Sequence, residues 1–182
     1  MMRRMILGCG VAAVVMFFIG FVFYATPIGM TAYAKADPAA ISSVQAAMAG
    51  LPQSGAYAIP DPEAAGGAQA YARGPVGVLR VVKSGYPLFD PMVLLKGLGH
   101  YFVSVLFFGL TLLATAEKLD LRTRRAVIAG TVVGATVMNV LGDPVWYRLD
   151  WTYSLYVFVA NSIILGAGAL IVARWFLPRA RA

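Results

Sequence analysis

The chain has 182 residues, 60% of them hydrophobic and 13% charged. Soluble domains carry about a quarter charged residues, so this much apolar surface excludes an ordinary soluble fold and calls for lipid as a second solvent. The net charge of +7 invites a nucleic-acid partner, but the placement of the charges accounts for it otherwise, and no nucleic acid is expected. A single cysteine, Cys9, and a single histidine, His100, leave no intrachain disulfide and no Cys/His metal cluster.

A helix crossing the hydrocarbon core needs about 20 mainly apolar residues. Residues 5–25 are the first such run and carry no charge. Ala32-Tyr33-Ala34 has the small-x-small form of a signal-peptidase site, so residues 1–34 have a second reading as a cleaved signal peptide. Their apolar run exceeds the ~7–15 residues of a signal h-region. Leu7-Gly8-Cys9 outlines a lipobox, but too few apolar residues precede it.

Residues 35–90 form an extracytoplasmic segment of different character. Asp37-Pro38 is a helix start, an acidic N-cap followed by proline at the first helical position, where its missing N–H costs nothing. Ile41, Val44, Met48 and Leu51 follow at helical spacing and make an apolar stripe, and Gly50 and Pro52 end the helix. A short strand over 56–59 closes at Pro60, a polar loop covers 61–67, and residues 76–82 make the best strand of the chain. In that strand Val76, Val78 and Arg80 face one way, and Gly77, Leu79 and Val81 the other. The expectation is one amphipathic helix and a two-stranded ribbon. A lone hairpin is marginal in water, so the ribbon needs the membrane helices, the stripe or a partner to lean on.

Three further runs follow: 97–116 between Lys96 and Glu117, 126–142 between Arg125 and Asp143, and 152–173 between Asp150 and Arg174. Asp90-Pro91 starts the first of them, which begins along the outer surface. Asp143-Pro144 opens the outer loop before the last. Short loops at 117–125 and 143–151 make these three spans an antiparallel set.

Cation placement sets the direction of crossing. With the N-terminus inside, the inner side holds nine basic residues (Arg3, Arg4, Lys118, Arg122, Arg124, Arg125, Arg174, Arg179, Arg181) and two acids, Glu117 and Asp120. The outer side holds six of each: Lys35, Arg73, Arg80, Lys83, Lys96 and Arg148 against Asp37, Asp61, Glu63, Asp90, Asp143 and Asp150. The excess charge is therefore topological. Trp146, Tyr147, Trp151, Tyr153 and Tyr156 crowd the outer end of the last two spans and Trp175 the inner end, at the headgroup levels that such rings favour.

Ionisable groups inside a span are costly and mark function by default. His100, Ser104, Thr111 and Thr115 fall on one stripe of the second span, at +4, +11 and +15. This is either a polar track for a proton, a ligand or an imidazole-bound metal, or a packing face whose hydroxyls return hydrogen bonds to their own helix. Asn139 and Asn161, in spans three and four, are ligand candidates or helix-to-helix glue. Asp143, Arg148 and Asp150 stand with Trp146 and Trp151 at the outer mouth, either lining a small site or serving as solvated interface anchors. Gly130 and Gly134 form a GxxxG and Ser162 and Gly166 a small-xxx-small pair, both helix-packing signals. No zincin, nucleophile-elbow, P-loop or C-x-x-C motif occurs, and no metal, cofactor or catalytic residue is expected.

Val-Met-Phe-Phe-Ile-Gly at 15–20, Pro27-Ile28-Gly29, Gly55-Ala56-Tyr57-Ala58-Ile59-Pro60 and Gly74-Pro75-Val76-Gly77-Val78-Leu79, followed by three spans, resemble a loose group of small bacterial inner-membrane proteins with four transmembrane helices. The resemblance covers most of the chain. It implies the topology and a bacterial inner membrane and carries over no activity.

The expected fold is an all-α membrane protein, a four-transmembrane-helix bundle with a small α+β extracytoplasmic segment. Its parts are 1–34, the first helix and exit; 35–90, the outer segment; and 91–182, three spans ending in the cytoplasm. Both termini are cytoplasmic and residues 26–96 lie outside. The expected function is that of an accessory or interaction protein, a subunit or assembly factor of a membrane complex. Its partners are the bilayer and a protein, or a second copy of the chain. Two alternatives stand beside it: a small transporter or ligand-binding protein using the His100 stripe with Asn139 and Asn161, and a redox- or pigment-associated subunit with His100 as metal ligand.

Overall fold

The computed structural model describes residues 1–178. Arg179 and Arg181, counted above among the inner cations, lie outside the described residues. In chain order the elements are α1 (Met2–Tyr24), α2 (Pro27–Met30), α3 (Pro38–Ala49), β1 (Gly55–Ile59), α4 (Gly67–Arg73), β2 (Gly77–Val81), α5 (Pro91–Thr115), α6 (Leu121–Val140), α7 (Gly142–Trp146) and α8 (Trp151–Ile171). A π-helical turn, Val172–Phe176, ends α8. Four stretches are long and apolar enough to cross a membrane: Met2–Tyr24, Pro91–Thr115, Leu121–Trp146 and Trp151–Phe176. The chain divides into two compact units, Met1–Tyr33 with Pro91–Ala182, and Ala34–Asp90.

The helical unit is organised around α1. Met5, Cys9, Ala12, Met16 and Gly20 recur at helical spacing and are buried against α5 and α8. Small residues on the facing helices let α1 come close. A Cβ at Gly109 of α5 would stand 2.8 Å from Met5 Sδ and 2.9 Å from Cys9 Sγ. A Cβ at Gly168 of α8 would overlap Met16. Helix α6 packs on α8 through Ile128, Val132 and Thr136, spaced four apart, and the Thr136 and Ser162 hydroxyl oxygens meet at 2.9 Å.

One further residue continues that stripe of α6. Arg124 is 2% exposed, and its guanidinium donates only to main-chain carbonyls. Nε reaches Leu119 at 3.0 Å, Nη1 reaches Ala173 at 3.4 Å, and Nη2 reaches Pro178 at 2.6 Å and Ala116. Ala116 and Ala173 lie at the ends of α5 and α8, whose last carbonyls carry the negative pole of the helix dipole, while Leu119 is in the α5–α6 turn and Pro178 lies past the π-helical turn. The guanidinium is thus held by main-chain carbonyls rather than by an ion pair. Nearby, Arg4 of α1 donates to the Trp175 carbonyl at 3.0 Å.

Several boundaries differ from the sequence reading. The second helix does start at Pro91, as the Asp90-Pro91 step predicts, and at about 1.5 Å per residue its 25 residues reach ~37 Å, longer than the ~30 Å core. The third begins at Leu121, where the Asp120 carboxylate caps Thr123 N at 2.7 Å. The outer loop expected over 143–151 is largely helical instead: Leu141 hands α6 on to α7, with Pro144 in its first turn, where no N–H is needed. The link to α8 is thereby reduced to residues 147–150, with Arg148 at φ 55. Asp150 then caps Tyr153 N at 2.7 Å.

In the smaller unit, Asp37 caps α3 through Ala39 N at 2.7 Å. Its apolar stripe stays open, with Ile41 and Val44 exposed and no residue of α3 buried. Strands β1 and β2 pair antiparallel with Gly55 opposite Val81 and Ile59 opposite Gly77. Burial follows the expected alternation, Leu79 and Val81 on the covered face and Val78 and Arg80 exposed. Ser54 Oγ accepts from Lys83 N at 3.0 Å and extends the pairing. Helix α4 was not expected. It opens at Gly66, φ 76, and the buried Gly67 sits against Asp61 O and Pro62 so closely that a side chain there would clash.

Candidate functional site

Helices α5 and α6 follow each other in the chain but scarcely touch. Helix α5 is held by α1 and α8, and α6 by α8. Between them runs an open seam. On α5 it is lined by His100, Ser104, Phe107 and Thr111, and on α6, read in the opposite direction, by Asn139, Ala135, Thr131 and Val127. Both sets have helical spacing, so each helix presents one mixed polar and small face to the gap.

The wider part of the seam is a cleft of about 250 Å³ floored by Met16, Asn161 and Ile164. Four of the sequence candidates, His100, Ser104, Asn139 and Asn161, come together there, with Tyr101 and Thr136 beside them. A smaller hollow of about 140 Å³ continues the seam past Thr111 and Thr131. Thr115 lines neither part. Its hydroxyl returns to Thr111 and Leu112 carbonyls at 3.3 and 3.2 Å.

The hydrogen bonds separate structural groups from available ones. Ser104 donates to the His100 carbonyl at 2.8 Å and Thr111 to Phe107 at 3.0 Å, each within its own helix. Asn139 Nδ2 donates to Ala135 at 2.9 Å, which leaves its amide oxygen free among the described residues. The Asn161 oxygen accepts from the Tyr24 hydroxyl at 2.8 Å, tying α8 to α1. Tyr156 makes a second tie, donating to Phe23 O at 2.6 Å. The His100 ring makes no hydrogen bond among the described residues; it lies 5.9 Å from the Tyr101 ring, centre to centre.

The packing candidates part company in the same way. Ser162 meets Thr136 across the α6–α8 contact. A Cβ at Gly130, Gly134 or Gly166 would meet nothing within 4 Å, so these glycines face open space. Sequence reasoning missed Tyr101, Thr131 and Ala135 as seam residues. The available signal was the register of two antiparallel helices, which sets Asn139 opposite His100. Among the described residues no three His, Cys, Asp or Glu side chains converge as for a metal ion.

Four long helices have the length and composition of membrane spans, a set compatible with a multi-pass membrane protein. The chain matches no family model, no curated protein and no solved structure. The seam geometry is therefore the ground on which a functional reading stands.

Proposed function

We propose that the protein is a non-catalytic accessory subunit of a bacterial inner-membrane complex, with both termini in the cytoplasm and residues 26–96 outside. In this reading the α5/α6 seam receives a transmembrane helix of a partner. The observation that carries it is the exposure of His100, Thr131 and Asn139 on an uncovered face of two membrane-length helices. Polar groups facing hydrocarbon are costly, and polar residues in spans turn toward protein or water. A partner helix would supply the missing cover, and the small Ala135 on the seam face of α6 would let it approach closely.

A photo-crosslinking residue in place of Thr131 tests this in the native membrane. The expected product is one discrete higher-mass adduct, lost in Ala135→Leu on the seam face and absent when the crosslinker replaces the exposed Val159 of α8. A monomer with no adduct from Thr131 overturns the reading. An adduct of twice the chain mass identifies a second copy as the occupant.

A second reading, small-molecule binding or transport, is favoured by the convergence of His100, Asn139 and Asn161. The cleft of about 250 Å³ falls below the ~300–1,000 Å³ of most ligand pockets, which places this reading second. Unchanged uptake by His100→Ala in reconstituted vesicles would remove it.

A further inference from the structure

On the opposite flank of α6 a second, larger groove of about 680 Å³ runs between α6 and α8. Its walls are apolar, with Val132, Gly166 and Leu170 among them, and its mouth is formed by Arg125, Arg174 and Trp175. The lining spans Ser162 to Trp175 on α8, thirteen residue steps or about 20 Å of helix. That exceeds the ~15 Å half-thickness of a hydrocarbon core, so one acyl chain can lie along it at full length.

The charge at the mouth is one-sided. No acidic side chain lines the groove. Of the two carboxylates in the turn before α6, Asp120 is engaged in capping Thr123 N at 2.7 Å, and Glu117 lies outside the lining. Arg124, next to Arg125, is turned inward onto helix-end carbonyls. Arg125 and Arg174 are exposed and have no ion-pair partner among the described residues. Arg4 holds the Trp175 carbonyl and fixes the backbone that carries the indole at headgroup level.

We infer that this groove binds an anionic phospholipid, with an acyl chain between α6 and α8 and the phosphate on Arg125 and Arg174. Arginine forks match phosphate oxygens in pairs, and Trp175 supplies the interfacial edge. The inference rests on the membrane-spanning reading above but not on what fills the α5/α6 seam.

The test uses the full chain with Trp146→Phe and Trp151→Phe, which leaves Trp175 as the only tryptophan. Reconstitution is into vesicles of brominated phosphatidylcholine or of brominated phosphatidylglycerol in unbrominated carrier. Phosphatidylglycerol is expected to quench Trp175 at lower mole fraction, by about fivefold for each arginine engaged, the factor that ~1 kcal/mol per cation gives. Arg125→Gln with Arg174→Gln should bring the ratio close to one. Gly166→Leu, whose added carbons enter open groove space, should weaken quenching by both lipids. Equal quenching by the two lipids in the parent protein, or a preference that survives the double arginine variant, overturns the site. Failure of the protein to float with vesicles overturns the membrane-spanning reading instead.

Discussion

The Arg124 guanidinium donates to the Pro178 carbonyl at 2.6 Å, joining positions 54 apart in the chain. With Ala173 and the α5–α6 turn also on its nitrogens, one side chain gathers the ends of three membrane-length helices. Arg124→Met removes every donor and leaves the oxygens without a partner. Hydrogen bonds to charged groups are worth about 1.5–3 kcal/mol, so a loss of ~3 kcal/mol is expected in denaturant titrations of detergent-solubilised protein. Arg124→Lys should recover only part of it, because an ammonium keeps the charge but cannot fork between helix ends.

The Tyr24–Asn161 bond of 2.8 Å gives a sharper test of how α1 is held. A double-mutant cycle of Tyr24→Phe and Asn161→Ala should show a coupling of about 0.6–1.7 kcal/mol, the range for polar contacts between membrane helices. Additive effects would show that the two side chains act independently.

Glycines of like appearance in the sequence should respond oppositely to alanine. At Gly8 a Cβ would lie 2.6 Å from Phe176 Cβ, the root of that side chain, so the π-helical turn must move. Gly8→Ala should cost about 1–3 kcal/mol. Gly134 meets nothing within 4 Å, and Gly134→Ala should be neutral or gain up to ~1 kcal/mol from helix propensity. Thermal unfolding of both variants side by side decides it.

The cap at the start of α6 predicts a pH response. Hydrogen bonds from Thr123 hold the Asp120 carboxyl below its ordinary value of 3.8, aided by the charges of Arg122 and Arg124. A carboxyl depressed in the folded state lends stability that is complete above its unfolded value and is lost as pH falls through the folded one. Unfolding midpoints of the native chain should therefore decline between pH 4 and the folded value more than those of Asp120→Asn, as read by circular dichroism.

Orientation is tested by single cysteines on either side. The native Cys9 is fully buried and should stay silent. A membrane-impermeant maleimide should label Gln53→Cys on intact spheroplasts, and Lys118→Cys only after lysis. The reverse pattern would invert the proposed topology.

The four apolar spans, the Asp37 cap and the ribbon were legible in the sequence because each is a local pattern. An apolar run stands out by composition, Asp37-Pro38 marks a helix start, and β2 alternates, whereas the Asp150 cap on Tyr153 N was not read from the sequence. The role of Arg124 was not legible. Charge counting assigns it to one side of a membrane, while its burial depends on where Ala173 and Pro178 arrive in space. The open seam was hidden for a related reason. A short connection makes two helices neighbours in sequence, but α5 finds its main partner in α1, whose stripe of Met5, Cys9 and Met16 accepts it more closely. Helix α4 escaped notice because its entry depends on a positive φ at Gly66, and a glycine-rich run reads equally well as loop.

The same central position of α1 has a consequence for biogenesis. The α1 contacts are completed in two stages, since α5 follows it in the chain by more than sixty residues and α8 by more than a hundred. At about 5–20 residues per second, α8 is made roughly 6–25 s after α1, and until then only the α5 side of the glycine and sulfur-bearing face can be covered. In the proposed membrane topology, closure of the bundle is then a lateral docking of α8 onto an α1–α5 pair already formed.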